Sequence, residues 1–340
     1  MRAALIKSLD GPDGIVVADI AVPHAGPGQL LVRVEAAALN FMDTLISRGR
    51  YQVRPALPFS PSGEIAGIVE SIGGGTTCDA GLRVGDRVAA YVGHGGAREM
   101  AVVPIERAVL VPDGVASDIA AGVSVTYGTA MHGLVDRGRL AAGETVAVLG
   151  ASGGAGLAAT EVARLIGARV IACASAGKAD VCRQHGADVF IDYDSTPLKE
   201  ALREATAGRG VDMVYDCVGG RHAEPALRAT AWQGRYLVVG FAAGDIPALP
   251  LNHVMLRGVD VLGVNWGEAV SRAPEAHRAA MRQVLGWIAE GRLAPRIHAK
   301  YPLSEIADAI RALDARAVAG KVVITMMPDA DERAGTGGCR

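Results

Sequence analysis

Gly150, Gly153 and Gly156 stand three residues apart between an apolar run and an amphipathic one. With Ser152, Gly154 and Ala155 they form a turn nearly bare of side chains. At a strand-to-helix junction such a turn presents backbone N–H groups to a pyrophosphate, although it can also be only a tight βα connection. The next stretch narrows the choice. Residues 169–174 complete a βαβ pattern, and the carboxyl end of that strand lacks the Asp or Glu that an NAD site aims at the ribose 2′-hydroxyl. The chain continues Ser175-Ala-Gly-Lys178, a hydroxyl and a cation three apart, which suits a 2′-phosphate. Tyr193, closing a strand-like run from 189, offers a further hydroxyl or a stacking face. The plainer roles are a helix N-cap for Ser175 and a solvated lysine for Lys178. The missing acid and the present cation agree on NADPH.

A second group could handle protons. Asn40 and Asp43 follow a strand-like run and could share one side of a short helix, where a carboxamide orders a substrate or a ribose. They could equally cap a local turn. Tyr51, on an expected loop beyond Gly49, carries a phenol able to donate a proton or a hydrogen bond.

These residues need elements to hold them. Residues 145–149 have the uninterrupted apolar character of a buried parallel strand, and 157–166 read as a helix. Strands at 211–216 and 235–240 end at Cys217-Val218-Gly219 and Gly240-Phe241, at the edge where an open α/β sheet receives its ligand, so these ends form an expected nicotinamide-side wall. A strand is expected at 260–264, a helix at 221–231 and another at 274–290. Before residue 125 the chain changes character. Short runs at 15–18, 29–35, 64–70, 86–91 and 98–103, broken by Gly and Pro, suit a mostly antiparallel, barrel-like domain. Helical character returns at 119–134. The last part offers a short extended run, a helix at 304–313 and a strand at 320–326, long enough to return and complete the first domain.

At 340 residues with 44 glycines and half the residues hydrophobic, the chain fits a loop-rich α/β enzyme of two domains. A net charge of -2 with dispersed arginines argues against nucleic acid as a partner. No stretch approaches a charge-free 18-residue span, and the expectation is a cytoplasmic protein with no membrane segment. Cys78, Cys173, Cys182, Cys217 and Cys339 are too scattered for a disulfide framework or a thiolate-rich metal site.

The motifs Leu39-Asn-Phe-Met-Asp43, Arg48-Gly-Arg-Tyr51, the Pro58 to Gly67 turn and the Gly150 to Gly156 loop are similar to those of a known family. In them, and in its order of domains, residues 1–326 resemble the medium-chain dehydrogenase/reductase superfamily, specifically its zinc-independent NADPH:quinone oxidoreductase branch. The resemblance implies an α/β fold with a GroES-like, partly open β-barrel over 1–123 and 266–326. It implies an inserted Rossmann domain with a doubly wound parallel sheet over 124–265, and a flexible tail over 327–340. It places Ser175, Lys178 and Tyr193 at the 2′-phosphate, Thr129 near the nicotinamide, and Asn40, Asp43 and Tyr51 at the reacting end. It also implies a homodimer through the strand at 260–264. Asn40 and Gly63 stand where zinc-dependent relatives carry a Cys and a His, so no metal is expected. The acceptor then is a small-molecule quinone, or an enone or enoyl thioester with Tyr51 as proton donor. Leu45 stands where some quinone reductases have a second phenol, and Arg48, Arg50 and Arg54 could serve a phosphorylated carrier or merely a solvated loop. A non-catalytic, crystallin-like NADPH binder is the alternative of a different class.

Overall fold

The computed structural model describes residues 1–74 and 81–326. Cys78, Cys339, Gly75 of an expected turn and the expected tail at 327–340 lie outside the described residues. In chain order, β1 (Arg2–Ile6) and β2 (Ile15–Asp19) form an antiparallel pair. Then come β3 (Gln29–Leu39), α1 (Phe41–Ile46), β4 (Glu64–Ile72), β5 (Arg87–Tyr91), β6 (Met100–Pro104), β7 (Ala108–Leu110), α2 (Ser117–Ala121) and α3 (Ser124–Ala130). Strands and helices next alternate as β8 (Thr145–Leu149), α4 (Gly154–Ile166), β9 (Arg169–Ala174), α5 (Ala179–Gln184), β10 (Val189–Asp192) and α6 (Leu198–Glu204). The alternation continues through β11 (Val211–Asp216), α7 (Ala223–Arg228), β12 (Thr230–Val238), α8 (Leu251–Arg257) and β13 (Asp260–Gly263). The chain ends with α9 (Trp266–Arg272), α10 (Pro274–Ala289), β14 (Ile297–Pro302), α11 (Ile306–Asp314) and β15 (Lys321–Thr325). Two compact units result: Met1–Val125 with Val270–Ala289 and the described chain from Ile297, and Thr126–Ala269 with Glu290–Arg296.

The spine of the first unit is β3. One edge pairs with β4 along its length, while the other pairs with β6 at Gln29 to Arg33 and with β15 at Ala36 to Leu39. Bulges against β4, between Leu31 and Val32 and between Val34 and Ala36, bend the strand so that the sheet curls. Gly67 lies at this bend, where an added Cβ would stand 2.1 Å from the Arg33 carbonyl oxygen. The inward residues, among them Leu30, Val32, Ile65 and Val88, meet Ile306, Ala309 and Ile310 of α11. That spacing of three and four is one apolar helix stripe.

Lys321 opens β15 with its ammonium drawn inside. Nζ donates to the Leu39 carbonyl (3.0 Å), Asn40 Oδ1 (2.5 Å) and Glu64 Oε1 (2.7 Å), while Glu64 Oε2 accepts the Val125 N–H at 2.7 Å. The Lys321 and Glu64 side chains are only 5% and 0% exposed. The last strand is thereby tied to the ends of β3 and β4.

In the second unit the parallel sheet runs β10-β9-β8-β11-β12-β13. The order reverses between β8 and β11, which opens a crevice at their carboxyl ends. Strand β8 is buried throughout, in keeping with its unbroken apolar sequence. Gly167, at φ +92°, ends α4 in the left-handed region that a residue with Cβ would resist.

Several elements differ from expectation. Strands β1 and β7 had no alternating signal: Ala3, Ala4 and Ile6 of β1 are all fully buried, which erases the period of two. The expected helix at 119–134 breaks at Gly122 and continues after α3 as a wider helical turn over Met131–Arg137. Helix α7 stops at Arg228, and β12 starts at Thr230 with a kink at Gln233, φ +57°. Between the expected strand at 260–264 and the expected helix at 274–290 lies helix α9, whose Trp266 indole lies where an added Cβ on Gly128 would fall, 2.6 Å from Nε1. Helix α8 escaped notice because Leu251, Met255 and Leu256 face solvent and only Val254 of its apolar residues packs inward.

Lys321→Met is expected to lower unfolding free energy by about 3–5 kcal/mol, because it leaves Glu64 ionised and buried. Urea denaturation measures this, and the double variant with Glu64→Gln should recover part of the loss.

Candidate active site

The loop after β8 is built by close backbone approach. Gly150, at φ +72°, donates its N–H to the Cys173 carbonyl (2.9 Å), and Gly153 donates to the Gly150 carbonyl (3.1 Å). An added Cβ on Gly156 would stand 2.2 Å from the Gly150 oxygen, so the third glycine lets the helix start this close to the strand. Helix α4 begins at Gly154, three residues before the amphipathic run, so Gly154, Ala155 and Gly156 form its first turn. First-turn N–H groups have no intrahelical acceptor, and Ser152 to Ala155 are half-buried, within reach of a ligand. At Gly153 an added Cβ would meet only ordinary contact at 3.5 Å, so the room there is open.

The ends of β11 and β12 lie beside this loop. Gly150 packs toward Val218 and Cys217, whose side chains an added Cβ would meet at 2.8 and 3.7 Å. The ends of β11 and β12 zip together: Gly240 N–H donates to the Asp216 carbonyl (3.1 Å), Ala242 N–H to that of Cys217 (3.1 Å) and Ala243 N–H to that of Val218 (2.9 Å). Phe241 lies against Gly219, where a Cβ would fall 2.9 Å from its ring. Asp216, not singled out beforehand, organises the turn. Its Oδ1 accepts the N–H groups of Val218 (2.8 Å) and Gly219 (2.9 Å), and Tyr236 donates its hydroxyl to Oδ2. An Asp closing a strand before Cys-Val-Gly-Gly was the available signal for such a side-chain turn. Thr129 sits half-buried on α3.

Ser175, Lys178 and Tyr193 share the carboxyl edge formed by β9 and β10. Lys178 closes the single helical turn Ala176–Lys178, and Tyr193 stacks on His222 with ring centroids 4.2 Å apart. The Ser175 hydroxyl donates to Asp194 Oδ2 at 2.8 Å and caps no helix. With the glycine loop, these residues fit a dinucleotide: backbone donors for a pyrophosphate, and a hydroxyl, a cation and a ring at the ribose end.

In the first unit the buried ion pair sets the second group. Asn40 donates Nδ2–H to Glu64 Oε1 (2.8 Å) and its carbonyl accepts Lys321, so its amide is fixed in one orientation. Asp43 takes the capping role: Oδ2 accepts the Asn40 N–H and Oδ1 the Ser62 N–H, both at 2.8 Å. Its side chain is buried, and burial lifts its carboxyl to about 6, against the pull of those two N–H groups and Lys321. Tyr51 packs half-buried on Ile6, Ile46 and Phe59, and burial, then the Asp43 charge, raise its phenol. It stays protonated at neutral pH, as a proton donor must. Tyr91, across from Glu64 in the β4–β5 pairing, is a further phenol, pushed up to about 12 mainly by burial. Arg48 bonds the Thr44 carbonyl and Asp314 (2.8 and 2.5 Å), so it is committed to the fold, while Arg50 and Arg54 are exposed.

Comparison with known proteins places this geometry. The alcohol dehydrogenase GroES-like domain matches residues 26–113, and the zinc-binding dehydrogenase family matches residues 154–290. The chain is 34% identical to a quinone oxidoreductase-like protein 2 homolog of Nematostella vectensis, over 95% of this chain and 88% of that protein. A mycobacterial protein solved in complex with NADPH is 31% identical, with a TM-score of 0.89 over 96% of this chain and all of that one. The quinone oxidoreductase of Escherichia coli, also solved with NADPH, is 26% identical, with a TM-score of 0.88 over 96% and 100%. The metal in the second family's description does not fit here. Among the described residues no group of three or more His, Cys, Asp or Glu side chains is placed to hold a metal ion, and Asn40 is held by Glu64 and Lys321. Gly63 has no side chain, and a Cβ there would stand 2.9 Å from the Gly93 oxygen.

Asp43 also makes stability depend on pH. Its carboxyl lies near 6 in the fold against an ordinary 3.8, so its contribution is complete below about pH 4 and is lost as pH rises through 6. From pH 4 to 7.5, the unfolding free energy of the wild type should fall by about 3 kcal/mol relative to Asp43→Asn. Urea titrations at both pH values measure it, and a rise would reverse the assignment.

Proposed function

The chain belongs to the quinone oxidoreductase branch of the medium-chain dehydrogenase/reductase superfamily, and from that premise we propose that this oxidoreductase uses NADPH to reduce a quinone or a related activated carbonyl or alkene. The observation that carries the cofactor is the carboxyl edge of the parallel sheet, with its tight glycine loop beside Ser175, Lys178 and Tyr193. Bound NADPH supplies a hydride. The chain's own work is to bind, to orient and to manage the proton.

The first-turn N–H groups of α4 take the pyrophosphate, and Cys217 to Gly219 with Gly240 and Phe241 limit where the nicotinamide ring lies, with Thr129 as a further contact. In the first unit Asn40 offers a fixed amide, and Asp43 holds α1 in place next to Tyr51. Hydride added to a quinone leaves a phenolate that solvent protonates. Added to the β-carbon of an enone or enoyl thioester, it leaves an enolate; Tyr51 gives its phenolic proton to the α-carbon and regains one from solvent. The raised phenol of Tyr51 suits that role, because it keeps its proton until an anion forms. A phosphorylated carrier is the weaker substrate class, since Arg48 is spent on Asp314.

We propose also that the protein is a homodimer through β13. That strand pairs with β12 on one edge only, and Val261 on it and Leu251, Met255 and Leu256 of α8 are exposed. Light scattering should give twice the chain mass, and Met255→Glu with Val261→Lys should halve it; a monomeric wild type would sink this assignment.

Stopped-flow oxidation of NADPH against 1,4-benzoquinone, a short enone and crotonyl-CoA tests the acceptor. Tyr51→Phe should slow the enone reaction about 100-fold, with only a small effect on the quinone. An equal loss for both would make the phenol a positioning group, and no oxidation with any acceptor would refute the reductase.

A further inference from the structure

The edge that carries Ser175 also carries an acid that no strand-end reading anticipated. Asp194 follows Tyr193 beyond β10. One of its oxygens accepts the Ser175 hydroxyl at 2.8 Å, and the other accepts Arg221 Nη2 at 2.7 Å. Arg221 lies just past Gly219 and Gly220 at the end of β11, next to His222, whose ring holds Tyr193. The carboxylate therefore links the segments that follow three strands, β9, β10 and β11, at the carboxyl edge of the sheet. The two donors it engages, a hydroxyl and a guanidinium, are the kinds a phosphate also selects, since guanidinium binds carboxylate and phosphate in the same forked manner.

We infer that Asp194 is the residue that sets the preference between NADPH and NADH: its carboxylate stands in for the 2′-phosphate on Ser175 and Arg221 and competes with it. Arg221 then becomes a second cation of the phosphate site, beside Lys178. The inference rests on the dinucleotide reading of this edge.

Charge and exposure argue for competition instead of blockade. Asp192 is a second carboxylate next to Asp194: it accepts the Asp194 N–H at 3.1 Å and the Ser195 hydroxyl, which holds it below the usual carboxylate range. Two acids thus share this edge with Lys178 and Arg221, so the formal charges balance where a dianion is to bind. The Asp194 and Arg221 side chains are 45% and 70% exposed, so their pair is weak and a phosphate can displace it. NADH, with a 2′-hydroxyl, displaces nothing and meets a ready carboxylate acceptor. The acid missing from the end of β9 is in effect supplied from the end of β10.

Fluorescence titration of NADPH and NADH into wild type, Asp194→Asn, Arg221→Met and Lys178→Ala, with 2′-AMP and 5′-AMP as competing probes, tests this. Asp194→Asn should tighten NADPH and 2′-AMP roughly tenfold while leaving NADH and 5′-AMP within about twofold. Arg221→Met should weaken NADPH several-fold more than NADH. If the Asp194 and Arg221 variants shift both cofactors alike while Lys178→Ala still discriminates, this inference fails and the cofactor assignment stands. If the wild type binds neither cofactor, both fail together. Asp194 and Arg221 are exposed and Lys178 is half-buried, and unchanged melting temperatures confirm that the variants fold.

Discussion

A lysine ammonium buried at the start of the last strand is the constraint on which the first unit depends. Lys321 sits among the Leu39 carbonyl, Asn40 and Glu64, and Glu64 also holds the Val125 N–H. Removing two charges from water costs several kcal/mol each unless the geometry and the remaining hydrogen bonds are nearly complete. Here they are, and four separate parts of the chain must arrive together to make them so. The return of the chain to the barrel is therefore an electrostatic requirement as well as a way of completing a sheet.

Asn40 shows what that scaffold fixes. A carboxamide can flip, exchanging donor for acceptor, but Glu64 accepts from one end of this one and Lys321 donates to the other. Its orientation is settled by charges at positions 64 and 321. Asp43 is fixed likewise, by the N–H groups of Asn40 and Ser62, and Ser62 adopts φ +70° to deliver its own. Non-glycine residues hold such a backbone only where the surroundings over-determine it, and here the Ser62 hydroxyl, bonded to the Ala38 and Glu64 carbonyls, supplies that determination.

Legibility in the sequence followed the range of each interaction. The glycine loop could be read because its cause is local: Gly150 and Gly156 touch within six residues, and only glycine tolerates the contact. The parallel strands were readable because burial on both faces makes them continuously apolar. Of the pair Asn40 and Asp43 the sequence left both a capping and a catalytic role open, and the capping bond is formed. Lys321 looked like one polar residue at the head of a strand, since its partner lies 257 residues away. Asp194 looked like turn chemistry, because its partner Arg221 lies 27 residues on, past a different strand of the sheet.

Lys321 with Glu64 and Arg221 with Asp194 are both pairs of a cation and a carboxylate, in opposite surroundings. At 5% and 0% exposure the first cannot be opened without leaving a bare charge in the interior, so it can only define structure. At 70% and 45% the second exchanges with water and ions at little cost, so it stabilises little and can change partners. An edge that must accept and release a charged ligand suits pairs of the second kind, whereas fixed groups such as the Asn40 amide rest on pairs of the first. Exposure, more than residue type, decides which of the two roles an ion pair can take.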